Sequence, residues 1–196
     1  MSKSLHIVAR HANSLEDVER FGKNDPYAQF SLDLEDKHSF KKTSVKKNAG
    51  KNVEWNETII LDNYDPARHR TLFVEIMDEE KAADAVIGYT AIPLYQAADA
   101  LNQSLKAKFD LFNDDGKQKG TVSLTITIID SNRAGENWAN DGPEVKGISE
   151  ANSEHQKRIK SLKRKEHASD AAGIALGVGA LLGAKVLLGG GDKKEA

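Results

Sequence analysis

The sequence predicts an all-β fold, an eight-stranded antiparallel sandwich, and three observations carry that expectation. Apolar residues between Leu5 and Asp130 recur with period two inside short runs, the spacing of strands that bury one face. Clusters of Gly, Asn, Asp and Pro bound those runs, and these residues favour turns over continued pairing. About eight such runs fit the window, and two sheets built from them must pack face to face because neither can bury its apolar side alone.

Taken in order, Leu5, Ile7 and Ala9 alternate with His6, Val8 and Arg10 in the first run. In the second, Ala28, Phe30, Leu32 and Leu34 alternate with Gln29, Ser31 and Asp33, which defines one core face. The third run spans His38 to Val45. The fourth, Trp55 to Leu61, places Trp55, Ile59 and Leu61 on one side, and the fifth is Leu72 to Met77. A sixth covers Val86 to Leu94, after which Tyr95 to Leu101, rich in Ala and Gln, reads as a short helical crossing. Lys106 to Phe112 is the seventh, Asn113-Asp114-Asp115-Gly116 is a turn, and Val122, Leu124, Ile126 and Ile128 mark the eighth. Tyr27, Phe30, Trp55 and Phe73 fall on strand patterns and are expected in the core, where large aromatics contribute most burial.

Composition changes at Ser131. The chain divides into a sandwich over 3–130, a flexible linker over 131–150, a basic helical segment over 151–170 and a Gly/Ala/Leu-rich apolar segment over 171–191. In the third part Lys157, Arg158, Lys160, Lys163, Arg164 and Lys165 lie close together. In the fourth, Ala171 to Leu188 is broken only by Lys185 and approaches the roughly 20 apolar residues that cross a bilayer. Gly173 with Gly177 and Gly179 with Gly183 have the small-xxx-small spacing of close helix pairs. A tail anchor, a surface-lying helix, a self-associating segment and a low-complexity tail are all compatible with this composition.

The formal net charge of −2 conceals a split, because the part from Ser131 onward carries 11 of the 28 basic and 9 of the 30 acidic residues. Cysteine is absent, which excludes a disulfide framework and thiolate metal sites. Met1-Ser2-Lys3-Ser4 runs straight into a strand pattern without an apolar signal region, so a cytoplasmic protein, peripheral or tail-attached to a membrane, is expected. The six histidines show no metal-ligand spacing, and no nucleophile elbow or phosphate loop occurs, so no enzyme is expected. Only Phe40 interleaves with basic residues, so nucleic acid is not expected as a partner.

Two acidic loops stand out. Asn24-Asp25-Pro26-Tyr27 precedes the second strand and Asp78-Glu79-Glu80 follows the fifth. Carboxylates gathered at strand ends suit a hard divalent cation, which wants six to eight oxygens from a flexible cage. Between them, Lys37, Lys41, Lys42, Lys46, Lys47 and Lys51 form a one-sided basic window with no acidic residue inside it.

The order of motifs resembles the C2 domain: a Leu-x-Ile strand, Gly22-Lys23-Asn24-Asp25-Pro26-Tyr27, a lysine-rich strand, Trp55-Asn56-Glu57, Val74-Glu75-Ile76-Met77-Asp78 and Ile87-Gly88. The resemblance covers about Lys3 to Asp130 and is closest to the circularly permuted type II topology, closed by Gly120-Thr121-Val122-Ser123-Leu124. It implies an eight-stranded sandwich whose loops at one end bind calcium and meet membranes. Carried over, it puts calcium ligands at Asp25 and Asp78, at Glu19 and Glu80 where the family has Asp, and at Asp84, displaced by one place because Ala85 stands three residues before Gly88. It also likens Lys41, Lys42, Lys46, Lys47 and Lys51 to the family's lipid-binding lysine cluster. The alternatives are solvated loop acids acting as turn residues and lysines that protect a sheet edge.

The expected function is therefore a non-enzymatic adaptor that binds anionic phospholipid membranes, with calcium as cofactor. The alternative is a protein-interaction module whose Gly-rich tail self-associates.

Overall fold

The computed structural model describes residues 3–19, 22–36, 38–130 and 142–168. Its strands are β1 (Lys3–Asn13), β2 (Pro26–Ser31), β3 (Lys41–Lys42), β4 (Val53–Tyr64), β5 (Thr71–Asp78), β6 (Ala85–Pro93), β7 (Ser104–Phe112), β8 (Gln118–Asp130) and β9 (Val145–Lys146). A one-turn helix α1 (Tyr95–Ala98) and a 3-10 turn (Leu101–Gln103) cross from β6 to β7, as the Ala- and Gln-rich stretch predicted. A second helix, α2, spans 153–168.

The main strands form two antiparallel layers, β3-β2-β5-β6 and β7-β8-β1-β4, joined by the single pair Tyr89↔Phe112. Their facing sides make the core. Leu5, Ile7 and Ala9 from β1 meet Phe30, Val74, Ile76, Phe109, Leu124 and Ile126, all fully buried. The alternation read from the sequence becomes inward and outward facing because side chains along a strand point to opposite faces. β8, the last strand of the sandwich, lies beside β1.

Two strands are shorter than predicted, for local reasons. β2 stops at Ser31 because its hydroxyl accepts the Asp33 amide at 2.8 Å and donates to the Asp33 carbonyl at 2.6 Å, a side-chain turn that competes with sheet pairing. Leu32 and Leu34 consequently leave the strand, although Leu32 still packs on the core. β3 keeps only Lys41 and Lys42; beyond it the chain bonds to β2 at intervals, Thr43 N–H to Ala28 O and Lys46 N–H to Pro26 O.

The main departure from the sequence reading concerns residues 142–150, expected as flexible linker. This segment closes the seam where β6 and β7 diverge. β9 pairs in parallel with β7, and Glu150 exchanges both backbone hydrogen bonds with Ala91 of β6. Gly147 lies on the Phe109 ring so closely that a Cβ there would collide with it. Two open strand edges would otherwise leave unpaired N–H and C=O groups; a period-two search misses this because the segment pairs without alternating apolar residues. Residues 131–141 lie outside the described residues.

α2 follows directly. The Asn152 side-chain oxygen accepts the amides of Glu154 and His155, each at 3.0 Å, an N-cap that satisfies two otherwise orphaned donors. The helix lies on the outer face of the β3-β2-β5-β6 layer, where Ile159 is fully buried with Tyr27, Met77, Val86 and Tyr89, and Leu162 packs against the same cluster. Beside it, Glu75 is fully buried and its Oε1 accepts His155 Nε2 at 3.1 Å and Arg158 Nε at 2.7 Å. Burying Ile159 contributes about 2 kcal/mol, whereas a buried ion pair adds little net stability and mainly dictates placement. Hydrophobic contact thus holds the helix, and Glu75 registers it. The segment 171–191, and with it the small-xxx-small pairs and Lys185, lies outside the described residues; among the described ones no helix is long and apolar enough to cross a membrane.

The Glu75 site sets the response to pH. Burial pushes the Glu75 carboxyl up, but the hydrogen bonds from His155 and Arg158 and the Arg158 charge outweigh it and hold the group below its ordinary 4.5. Burial pushes the His155 imidazole below 6.5, only partly offset by Glu75. His155 Nδ1 is buried without a partner among the described residues, which fits a neutral ring donating through Nε2. Both groups bind protons more readily when released from this site, so acid opposes docking. Stability is expected to fall as pH drops below 6.5 through His155, and further below 4.5 through Glu75; urea unfolding across about pH 4 to 8 checks this. Glu75→Gln, which strands Arg158 against a neutral group, should cost about 3 kcal/mol in the same assay at neutral pH. Gly120 sits at φ +81° with an ideal Cβ 2.8 Å from the Ser14 carbonyl oxygen, so Gly120→Ala should destabilise by about 2 kcal/mol through left-handed strain and backbone collision, read as a lower urea midpoint.

Candidate functional site

The rim at one end of the sandwich is built by the antiparallel pairing of β2 and β5. Register places Pro26 opposite Asp78, so the loop entering β2 and the loop leaving β5 emerge side by side. The entering loop is braced by Asn24, fully buried, which accepts the Val18 amide at 3.2 Å and donates to the Glu16 carbonyl at 2.7 Å. The two loops are then tied directly. The Asp25 amide donates to Asp78 Oδ1 at 2.5 Å, and the Glu79 amide donates to the Asp25 carbonyl at 3.2 Å. Trp55 Nε1 donates to the Pro26 carbonyl at 3.3 Å from below, so the Trp55-Asn56-Glu57 motif supports the rim; Glu57 accepts the Ser44 amide and hydroxyl.

Of the five acids predicted as ligands, Glu19, Asp78 and Glu80 converge, with one oxygen from each within 4.8 Å of the others. Asp25 and Asp84 share the same shallow depression with Glu19 and Glu80, but their oxygens are engaged elsewhere. Asp25 accepts the Asn48 amide at 2.6 Å and Lys47 Nζ at 2.8 Å. Asp84 accepts the Tyr27 hydroxyl at 2.7 Å and the Glu80 amide at 3.2 Å. The displaced fifth acid therefore reaches the rim, in a role that ties the third loop to β2.

Electrostatics distinguish the three converging groups from the other two. Burial pushes the Asp78 carboxyl up to about 6, and the charges of Glu19, Glu80 and Asp25 add to the rise against the opposing bond from the Asp25 amide. Desolvation and the neighbouring Glu80, Asp25 and Asp17 also raise Glu19. Asp25 goes the other way: burial would raise it, but the Asn48 amide and Lys47 bring it below its ordinary value. Asp78 Oδ2 is buried with no hydrogen-bond partner among the described residues. An unpaired buried carboxylate oxygen facing two further carboxylates is an arrangement that a divalent cation stabilises, since it supplies the missing charge and coordination together.

The lysine window is distributed differently from the sequence expectation. Lys47 belongs to the acidic rim: its Nζ bridges Asp25 Oδ2 at 2.8 Å and Glu79 Oε2 at 2.6 Å. Lys41 pairs with Asp62 at 2.9 Å, Lys46 with Glu57 at 3.3 Å and Lys51 with Asp17 at 3.9 Å. Lys42 lies over the Tyr27 ring at 4.9 Å. The expected single free lysine face is thus not formed: carboxylates from other loops and strands, invisible in a local window, partner four of the five lysines. Sequence reasoning also missed Glu79 as the second anchor of Lys47, and Glu75, which sits at an outward position of β5 and is buried only because α2 covers it. The one available signal for Glu75 was an isolated acid in an otherwise apolar strand.

Comparisons agree with this architecture. The family model of the C2 domain matches residues 3–111. A curated relative, "Protein SRC2 homolog" of Arabidopsis thaliana, is 28% identical over 130 residues; the match covers 63% of this chain and 40% of that protein, so this chain spans well under two thirds of the relative's length. Among solved structures, a C2 domain of plant Extended Synaptotagmin 1 superposes with a TM-score of 0.54 at 23% identity, over 64% of this chain and 92% of that one. The two C2 domains of Extended-Synaptotagmin 2, in a structure described as calcium bound, give 0.52 at 23% identity, over 64% and 45%. On the family match across more than half its length, together with the two-layer topology and the paired acidic loops, this chain belongs to the C2 domain family.

Proposed function

We propose that this chain is a non-enzymatic membrane-docking module whose rim binds calcium and, through it, anionic phospholipid. The observation that carries the reading is the convergence of Glu19, Asp78 and Glu80 around a buried carboxylate oxygen that has no partner among the described residues. These three supply hard oxygens of the kind calcium selects, and Asp25 and Asp84, at the same depression, complete the set once their present partners give way. A bound cation reverses the local sign of an acidic rim and leaves coordination positions for lipid phosphate. Membership of the C2 family supports the lipid reading, and a fold relative described as calcium bound supports the metal.

Lys47 tunes this site. Its ammonium bridges Asp25 and Glu79 and must be displaced, or tolerated, by any cation that recruits Asp25. Calorimetric titration of the full chain is expected to show calcium binding that Asp78→Asn weakens at least about ten-fold, as loss of a charged ligand from a small cage requires. Lys47→Gln should tighten it about five-fold by removing a competing charge. Co-sedimentation with phosphatidylserine vesicles should rise with calcium and reverse with chelator. Absence of calcium binding in the wild-type titration would overturn the metal reading.

A further inference from the structure

The outward face of α2 carries positive charge left over after the helix is anchored. Three of its six basic residues are spent on anchoring or local pairs: Arg158 on Glu75, Lys163 on Asp114 at 2.8 Å, and Lys157 on Glu154 at 2.7 Å one turn away. Lys160, Arg164 and Lys165 are exposed, and no salt bridge to a carboxylate is found for them among the described residues. At about 100° per residue, Lys160 and Arg164 share the helix face opposite Ile159 and Leu162, with Lys165 at its margin. The contrast with the strand lysines is direct, since Lys41, Lys46, Lys47 and Lys51 all have carboxylate partners.

The helix is also held in a defined place. Ile159 packs with Tyr27, Met77 and Val86. Met77 precedes Asp78, Val86 is two residues after Asp84, and the Tyr27 hydroxyl bonds Asp84. α2 therefore rests on the roots of the acidic loops, and its basic face neighbours the rim.

We propose that the outward face of α2, centred on Lys160, Arg164 and Lys165, is the principal contact of this protein with an anionic bilayer, in place of the strand lysines. The inference rests on the membrane reading above and locates its surface. The occupant follows from charge: mobile point charges on flexible stems suit a diffuse layer of phosphates, and the face carries no aromatic side chain on which a nucleic-acid base could stack.

The test uses full-length protein and vesicles of phosphatidylserine and phosphatidylcholine at about 0.1 M salt in chelator, which keeps the calcium rim out of the measurement. Each cation near such a surface contributes about five-fold to partitioning, so Lys160→Gln/Arg164→Gln/Lys165→Gln should lower it by about a hundred-fold. Lys41→Gln/Lys46→Gln/Lys51→Gln should change it less than about three-fold, because those charges are already paired. All these substitutions are on exposed or half-exposed positions, and circular dichroism checks that both variants fold. Undiminished partitioning of the helix variant, or a larger loss in the strand variant, would overturn the inference while leaving the membrane reading intact. Wild-type protein that ignores these vesicles with and without calcium would overturn that reading as well, and retention on duplex DNA with no vesicle binding would replace the bilayer by another polyanion.

Discussion

The hydrogen bond from the Asp25 amide to Asp78 Oδ1, at 2.5 Å, ties the loop before β2 to the end of β5. Everything distinctive about the rim depends on that tie. It orients Asp78 so that Oδ2 faces Glu19 and Glu80 instead of bonding its own backbone. It draws Lys47 into the gap between Asp25 and Glu79. β-Sheet register makes the tie possible, because Pro26 and Asp78 are direct partners across the β2–β5 ladder, and Asn24 and Trp55 hold the loop and the strand start in place. A sandwich with the same core but another register would scatter the same carboxylates.

The opposite flank of that layer is governed by burial. Tyr27, Met77, Val86 and Tyr89 face outward from the core yet are buried, because α2 lies over them. Glu75 is in the same position and would be a solvated acid without the helix. Covered, it is fully enclosed, paired with Arg158 and bonded to His155. Removing a charge from water costs several kcal/mol that only such partners offset, so Glu75, His155 and Arg158 form a unit whose members make sense only together. The segment 142–150 extends the same logic by covering two strand edges on its way to the helix.

Much of the fold was legible in advance. The alternation of Leu5, Ile7 and Ala9 or of Leu124, Ile126 and Ile128 depends on neighbours two residues apart, and a local pattern suffices to find it. The five rim acids were also found, by resemblance to a family whose ligand spacing is regular. What stayed hidden were relations between distant residues. Lys41 meets Asp62, and Lys51 meets Asp17; a basic window read on its own cannot show that its charges are already paired. The segment 142–150 was read as linker because it pairs through backbone groups, and backbone pairing leaves no trace in side-chain composition.

The chain's own order of residues thus determined its class, the approximate position of each strand, the identity of its acidic loops and the basic character of α2, because each follows from sterics, periodicity and composition over a few residues. Tertiary structure alone decided which three of five carboxylates converge, which lysines are paired across the fold, and that the helix turns back onto β5 to bury Glu75. Those outcomes depend on distances between residues up to 83 positions apart, and such distances exist only once the two sheets have set their register and closed on each other.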